Sequence, residues 1–162
     1  MPLEIIDMDE EVLVADETMP EKWIEVAADS ACGKHVMHPE DVPQHKVVPS
    51  PGSTKGQHFM AANGHVIDNE GQTQVHLTTE ADKTLSSCFQ MAKVSRPLYS
   101  VPQMTDEGCT VIFTKGVGKV LKGKVRVMAE REVASFKRKG GLYLARMKVN
   151  RPDSGFTRQG TR

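Results

Sequence analysis

The stretch with the clearest capacity for chemistry is VAADSACGKHVM, residues 26–37. An apolar run leads into Asp29, and the small residues Ser30, Ala31 and Cys32 follow it. A catalytic carboxylate needs a strand that aims it, small neighbours that let a substrate backbone approach, and hydrogen-bond donors for its oxygens. Because an Asp-Ser pair at the end of a strand also opens ordinary turns, this stretch alone favours a structural role for Asp29.

Two other kinds of chemistry would use the cysteines and histidines. Cys32, His35 and His38 could suggest a zinc site, but their spacing matches no paired zinc signature. Cys32 near His35 could suggest a thiol nucleophile, but the sequence offers no evident third partner. Cys88 and Cys109 lie on presumed strands, where cysteine packs as a small apolar side chain. The sequence therefore predicts no metal and no cofactor.

The elements that must position Asp29 are mostly β-strands. Alternation of apolar and polar residues predicts these strands, and the dipeptide Asn63-Gly64 suits a two-residue type I′ hairpin turn. Further hairpins are expected to turn at Lys122-Gly123 and at Gly140-Gly141. The expected strands and hairpins cover residues 22–28, 57–67, 72–78, 84–94, 109–113, 119–129 and 134–149.

One short helix is expected to interrupt the strands, near residues 101–107. Ser100 and Gln103 have the spacing of a capping box, and Pro102 falls in the first turn. Gly108 is a natural residue to end the helix. The helix would deliver the chain directly into the strand that begins at Cys109.

Length and composition limit the class of protein. The chain has 162 residues, which is enough for one domain with a core. No apolar run approaches the roughly 20 residues of a membrane span, and the acidic start does not resemble a signal peptide. The cysteines are odd in number and widely spaced, which favours a reducing compartment. We therefore expect an intracellular protein that does not enter a membrane.

The formal net charge of zero hides an asymmetry along the chain. Residues 1–22 are strongly acidic, whereas lysine and arginine dominate from Lys115 onward. A basic segment can bind nucleic acid. Few aromatic residues interleave with these charges, so a solvated face and a linker are the favoured interpretation, and a nucleic-acid partner is only weakly suggested.

The order of the elements resembles the retropepsin fold, and more narrowly the protease region of a copia-type retrotransposon polyprotein. The segments that carry this resemblance are ADSACGKHVM, FMAANGHVIDNEGQTQVHL, VSRPLYSVPQMTDEGCTVIF and KRKGGLYLARM. They are similar, in order, to the Asp-Ser/Thr-Gly-Ala site, the flap hairpin with its following strand, the start of the helix, and a Leu-Tyr-x-Leu closing strand. The resemblance extends from about residue 21 to residue 147.

The resemblance implies an aspartic endopeptidase that processes its own polyprotein. Asp29 would be catalytic, and Ser30 would orient its carboxylate. The chain has Ala31 where the family has glycine, and Cys32 occupies the next small position. Substrate-binding positions would be Ala31 and Cys32 in the loop, together with three residues of the flap: Asn63, Gly64 and His65.

Catalysis by this class of protein needs two aspartates, and the chain offers one at such a site. The resemblance therefore implies a homodimer with an isologous interface. Two carboxylates a few ångströms apart share a proton, so that one can act as a base while the other acts as an acid. The localisation implied is the cytoplasm or a virus-like particle.

The expected organisation is an all-β, retropepsin-like acid-protease barrel with one short α-helix and additional C-terminal β-hairpins. An acidic extension, residues 1–21, could add an edge strand. The retropepsin-like domain would span 22–114, basic hairpins 115–150, and a disordered tail 151–162. The alternative function is a catalytically inactive, retropepsin-like module that serves the polyprotein as a dimerisation or spacer domain.

Overall fold

A computed structural model of the chain describes residues 4–6 and 22–152. The predicted tail therefore lies almost wholly outside the described residues, as does most of the acidic extension. Strands in the first half are β1 Glu4–Ile6, β2 Ala27–Asp29, β3 Val36–Met37, β4 His58–Met60, β5 Val66–Asp68 and β6 Gly71–Thr78. Strands in the second half are β7 Thr84–Met91, β8 Leu98–Ser100, β9 Cys109–Phe113, β10 Gly118–Lys122, β11 Lys137–Lys139 and β12 Leu142–Leu144.

The helices are few and short: a 3₁₀ turn at Pro39–Asp41, α1 at Pro51–Thr54 and α2 at Val101–Asp106. The prediction of a mostly β protein is therefore confirmed. Helix α2 is the helix that the sequence predicts, and Ser100 caps it by accepting a hydrogen bond from the backbone N–H of Gln103. No helix in the described part of the chain has the length and apolar composition that a membrane span requires.

The largest sheet has six strands and is organised around β7. Strand β6 pairs with the full length of β7 on one side, while β1 and β3 share its other side. Strand β8 lies between β3 and β2, antiparallel to the first and parallel to the second. The remaining pairs, β4–β5, β9–β10 and β11–β12, form separate two-stranded sheets. Among the described residues the strand pairing does not close into a barrel.

The core lies on one face of the β6–β7 pair and continues around α2. Met37, Val75, Phe89 and Met91 form one buried cluster. A second cluster joins Val101 and Met104 of α2 to Cys109 of β9. Burying an aliphatic or aromatic side chain contributes roughly 1.5–3 kcal/mol. The two clusters therefore hold α2, which follows β8 beside Asp29, against the main sheet.

The predicted flap hairpin is present, but its turn type differs from the expectation. The backbone N–H of Gly64 donates to the carbonyl of Ala61, and the N–H of Ala61 donates to the carbonyl of His65. Gly64 has a φ of 83°, whereas Asn63 has no positive φ. The loop is thus a three-residue connection with one left-handed glycine, which relieves Asn63 of the conformation that a type I′ turn would impose.

The prediction of a hairpin that turns at Lys122-Gly123 is wrong. Strand β10 pairs instead with β9, in a register that sets Val120 opposite Val111. A tight turn makes this possible, because the backbone N–H of Thr114 donates to the carbonyl of Val117. Strand β9 is already held by the core at Cys109, so it offers β10 a fixed edge that the chain after Gly123 does not.

Two further expectations need correction. The sequence predicts a single helix, but Pro51–Thr54 is also helical. Ser50 and Ser53 cap it reciprocally, with proline in the first turn. The strand predicted over residues 22–28 is reduced to β2, because only its last residues find a partner in β8.

Gly71→Ala is expected to destabilise the fold by about 3 kcal/mol or more. Gly71 opens β6 with a φ of 133°, and a Cβ atom there would overlap the carbonyl oxygen of Val48. The free energy of unfolding from urea titration measures the effect.

Gly116→Ala is the matched control, because a Cβ at residue 116 would meet no atom within 4 Å. We expect this variant to stay within about 0.5 kcal/mol of the wild type. Equal effects of the two substitutions would contradict the steric explanation.

Candidate active site

Asp29 ends β2 and lies opposite Ser100 in the parallel pair with β8. Its side chain is half-buried, and its Oδ1 accepts a hydrogen bond from the backbone N–H of Ala31 at 2.8 Å. Ser30 and Ala31 are exposed. The loop thus presents a carboxylate that a backbone donor holds on one oxygen, between small residues that solvent can reach.

Ser100 connects this loop to the helix that follows β8. Its Oγ donates to the carbonyl of Cys32 and accepts from the backbone N–H of Gln103. Its own backbone N–H donates to Nδ1 of His35 at 2.9 Å. The side chain that caps α2 therefore also fixes the loop that carries Asp29.

His35 is fully buried beside this junction. Its ring packs against both Phe89 and Tyr99, with centroid distances of 5.4 and 4.8 Å. Its backbone N–H donates to Oε1 of Gln103 at 2.9 Å, and its Nε2 lies 3.6 Å from Oε2 of Glu107. The capping-box spacing pointed to Ser100 and Gln103, but nothing local in the sequence indicates that they contact His35.

Cys32 does not have the environment of a reactive thiol. Its Sγ donates to the carbonyl of Lys34 at 3.0 Å, and burial raises the pKa of the thiol above its usual range. A raised pKa favours the neutral thiol over the nucleophilic thiolate. Cys32 is partly buried, as a small side chain of the loop and not as a nucleophile.

The zinc interpretation finds no support among the residues that the structure describes. No group of three metal-binding side chains is found in residues 22–152. Nδ1 of His35 accepts from Ser100, and Nδ1 of His38 accepts from the backbone N–H of Glu40 at 3.0 Å. Both nitrogens therefore serve the local fold.

The flap residues Asn63, Gly64 and His65 are exposed at the tip of the β4–β5 hairpin. Oδ1 of Asn63 accepts from the backbone N–H of His65 at 3.1 Å, which stiffens the tip. Asn63 and His65 line an open groove of about 550 Å³, together with Lys93. Asp29 does not line this groove, so the structure does not bring the flap residues and the carboxylate into one cavity of a single chain.

The β11–β12 hairpin packs against α2 and against the Asp29 loop. Arg138 binds both carboxylate oxygens of Asp106, with Nη2 to Oδ2 at 2.8 Å. The hydroxyl groups of Tyr143 and Thr105 lie 2.8 Å apart. A Cβ atom at Gly141 would lie 3.2 Å from the Cα of Gly33, so the two backbones meet where neither carries a side chain.

Comparison of the chain with protein-family models, with curated proteins and with solved structures finds no match. The function must therefore be inferred from the sequence and from the residues of the site.

The carboxyl group of Asp106 is expected to titrate below its usual value of 3.8, because the hydrogen bond from Arg138 stabilises the charged form. The pair's contribution to docking the hairpin is then present above pH 3.8 and is lost as the pH falls through the lowered pKa. NMR titration of the Asp106 carboxyl carbon measures this midpoint.

Arg138→Gln should raise the midpoint toward its usual value, because the main cause of the lowered pKa is removed. Lys139→Gln is the control, since it removes one positive charge from the same strand without touching Asp106. A midpoint that Arg138→Gln leaves unchanged, or that Lys139→Gln raises equally, would contradict the pairing.

Proposed function

We propose that the chain is a retropepsin-like aspartic endopeptidase that processes the retrotransposon polyprotein in which it resides. The observation that carries this proposal is the Asp29 loop. The carboxylate stands at the end of a strand, its Oδ1 accepts from the N–H of Ala31, and exposed small residues surround it. This is the arrangement that a carboxylate needs in order to meet a peptide backbone.

The order of the elements supports the same proposal. A strand leads to the Asp-Ser loop, then to a hairpin, two long strands, a capped helix and a further strand. The parallel pairing of β2 with β8 also supports the proposal, because it sets Asp29 beside the start of α2. We place this activity in the cytoplasm or in a virus-like particle.

The active species is a homodimer, because the reaction needs a second carboxyl group. Two copies of Asp29 facing each other across a twofold axis cannot both ionise easily, so they share one proton. Ala31 holds Oδ1 of each carboxylate, which leaves Oδ2 to face the partner or a water molecule. Ser30, which is exposed, orients the loop across that interface.

The reaction follows from this shared proton. The ionised Asp29 takes a proton from a bound water while the water oxygen attacks the carbonyl carbon of the substrate. The protonated Asp29 gives its proton to the carbonyl oxygen, forming a neutral tetrahedral intermediate. When the C–N bond breaks, the proton taken from water moves to the leaving nitrogen. The other Asp29, which is now ionised, takes a proton from one hydroxyl of the intermediate, so that a carboxylic acid forms and the pair again shares one proton. The β4–β5 hairpin closes over the peptide and excludes bulk water.

The alternative is an inactive retropepsin-like module that acts in dimerisation or as a spacer. The observation that favours it is Ala31, whose exposed methyl group stands where the family has only hydrogen. A substrate backbone would have to pass that methyl group to reach Asp29. The alternative retains the fold and removes the hydrolysis.

Asp29→Asn should lower kcat for peptide hydrolysis by at least about 100-fold, because the amide can neither share a proton nor act as a base. Hydrolysis of a peptide library at about pH 4 to 6, with and without pepstatin, measures this loss. Asp82→Asn is the control, since Asp82 lies in the β6–β7 turn with a φ of 60°, which asparagine tolerates.

Ala31→Gly should raise kcat/KM by about tenfold, which corresponds to about 1.4 kcal/mol in the barrier. The glycine removes the methyl group from the substrate's path and costs up to about 1 kcal/mol of folding entropy. If a dimeric wild-type chain is inactive and Ala31→Gly does not restore hydrolysis, the inactive module replaces the enzyme.

A further inference from the structure

A closed set of polar side chains lies inside the core next to the Asp29 loop. It consists of His35, Ser100, Gln103 and Glu107. The His35 and Glu107 side chains are 0% and 4% exposed. These residues come from the segment before β3, the cap of α2, the first turn of α2 and its C-terminal cap. Buried polar groups of this kind are costly unless each finds a partner, so their arrangement constrains what the set can do.

The hydrogen bonds assign the proton on the His35 ring. Nδ1 accepts from the backbone N–H of Ser100, so the neutral ring carries its proton on Nε2. Nε2 points toward Oε2 of Glu107, 3.6 Å away, and neither atom has a hydrogen-bond partner among the described residues.

A carboxylate at residue 107 presents an acceptor oxygen to both of its neighbours, whereas an amide would not. Nε2 of Gln103 donates to Oε1 of Glu107 at 2.9 Å, while Nε2–H of His35 faces Oε2. Gln103 cannot turn its amide around, because its Oε1 accepts from the backbone N–H of His35. A glutamine at position 107 would therefore set a donor against a donor on one side or the other.

The set does not form a hydrolytic Ser-His-Glu triad. His35 contacts the backbone N–H of Ser100 and not its Oγ. Ser100 Oγ is occupied by the carbonyl of Cys32 and by the N–H of Gln103, and the residue is 0% exposed. A nucleophile needs access to substrate and a base on its own oxygen, and Ser100 has neither.

We propose that His35 is a positioning residue for Asp29, held in its Nε2–H form by Glu107. His35 fixes Ser100 through the backbone N–H, and Ser100 in turn fixes the carbonyl of Cys32, three residues after Asp29. Strand β8 also sets Ser100 directly opposite Asp29. The consequence for catalysis rests on the proposed peptidase activity, whereas the placement of the loop does not.

Two substitutions of His35 distinguish a positioning role from a role in core packing alone. They are His35→Asn and His35→Leu. The Oδ1 of asparagine is bonded to Cγ, as Nδ1 of histidine is, so His35→Asn keeps an acceptor for the Ser100 N–H. His35→Leu fills the space but has no acceptor. Glu107→Gln leaves the ring in place and introduces the donor conflict.

The first measurement is made on the wild-type chain and needs no variant. Proton–nitrogen correlation spectra of the His35 ring should show a proton on Nε2 and an unprotonated Nδ1. A ring protonated on Nδ1 would overturn the proposal.

The second measurement follows the backbone amide proton of Ala31, which reports the hydrogen bond to Asp29. We expect its resonance to move in His35→Leu and in Glu107→Gln, and to remain near the wild-type position in His35→Asn. A folded leucine variant with an unchanged Ala31 resonance would overturn the proposal. If His35→Leu does not fold, the Ala31 resonance of Glu107→Gln provides the test, and an unchanged resonance in that variant would overturn the proposal.

The third measurement is steady-state hydrolysis. His35→Leu should lower kcat by about 100-fold with little change in KM, because a small displacement of the reacting group is enough for such a loss. His35→Asn should recover most of kcat. An inactive wild-type chain would contradict the proposed function but not the positioning role. That role is tested separately by the protonation of the His35 ring and by the Ala31 amide resonance. Equal loss of kcat in both variants would overturn the role in catalysis.

Discussion

The three hydrogen bonds of Ser100 are the constraint on which the site depends. One side chain caps α2, holds the carbonyl of Cys32 and lies in a strand whose backbone is fixed by His35. Helix α2 has only six residues, so it needs both its cap and its buried face in order to persist. The same residue that stabilises the helix therefore also determines where the Asp29 loop lies. A change at this point would affect the fold and the site together.

The sequence predicts local structure well where a signal is local. Strand β6 alternates between apolar and polar residues, and Ser100 and Gly108 bound α2, so these elements follow from the residues themselves. The prediction of a turn at Lys122-Gly123 is wrong because a glycine after a lysine suits many conformations. The partner of β10 is determined instead by the edge of β9, which the core holds in place. Turn residues indicate that a chain reverses, but packing decides which strands then pair.

The candidate site divides in the same way. Asp29, Ser30 and Ala31 can be found from a strand that ends in a small-residue loop. The link between His35 and Ser100 cannot, because 65 residues separate them and neither type is unusual in its place. Glu107 is equally hidden, since a glutamate at the end of a surface-like helix gives no sign that its side chain is 4% exposed. Long-range polar contacts become visible only once the sheet order is known.

The loop that carries Asp29 is held by contacts on one side and is exposed on the other. The buried hydrogen bonds of Ser100 fix the loop on the side of the core, and the backbone of Gly141 contacts the loop at Gly33. The exposed side, at Ser30 and Ala31, is then the face on which a second copy can add its own Asp29. In the proposed homodimer, this division lets each chain contribute one aspartate to a reaction that needs two.

The most direct test is the specific peptidase activity measured across a range of protein concentrations, with the dimer fraction determined by sedimentation in the same samples. The account predicts that specific activity rises with concentration in proportion to the dimer fraction and approaches zero in the monomer. Peptide hydrolysis whose specific activity is constant while the chain sediments as a monomer would contradict the account, because one Asp29 alone would then be sufficient.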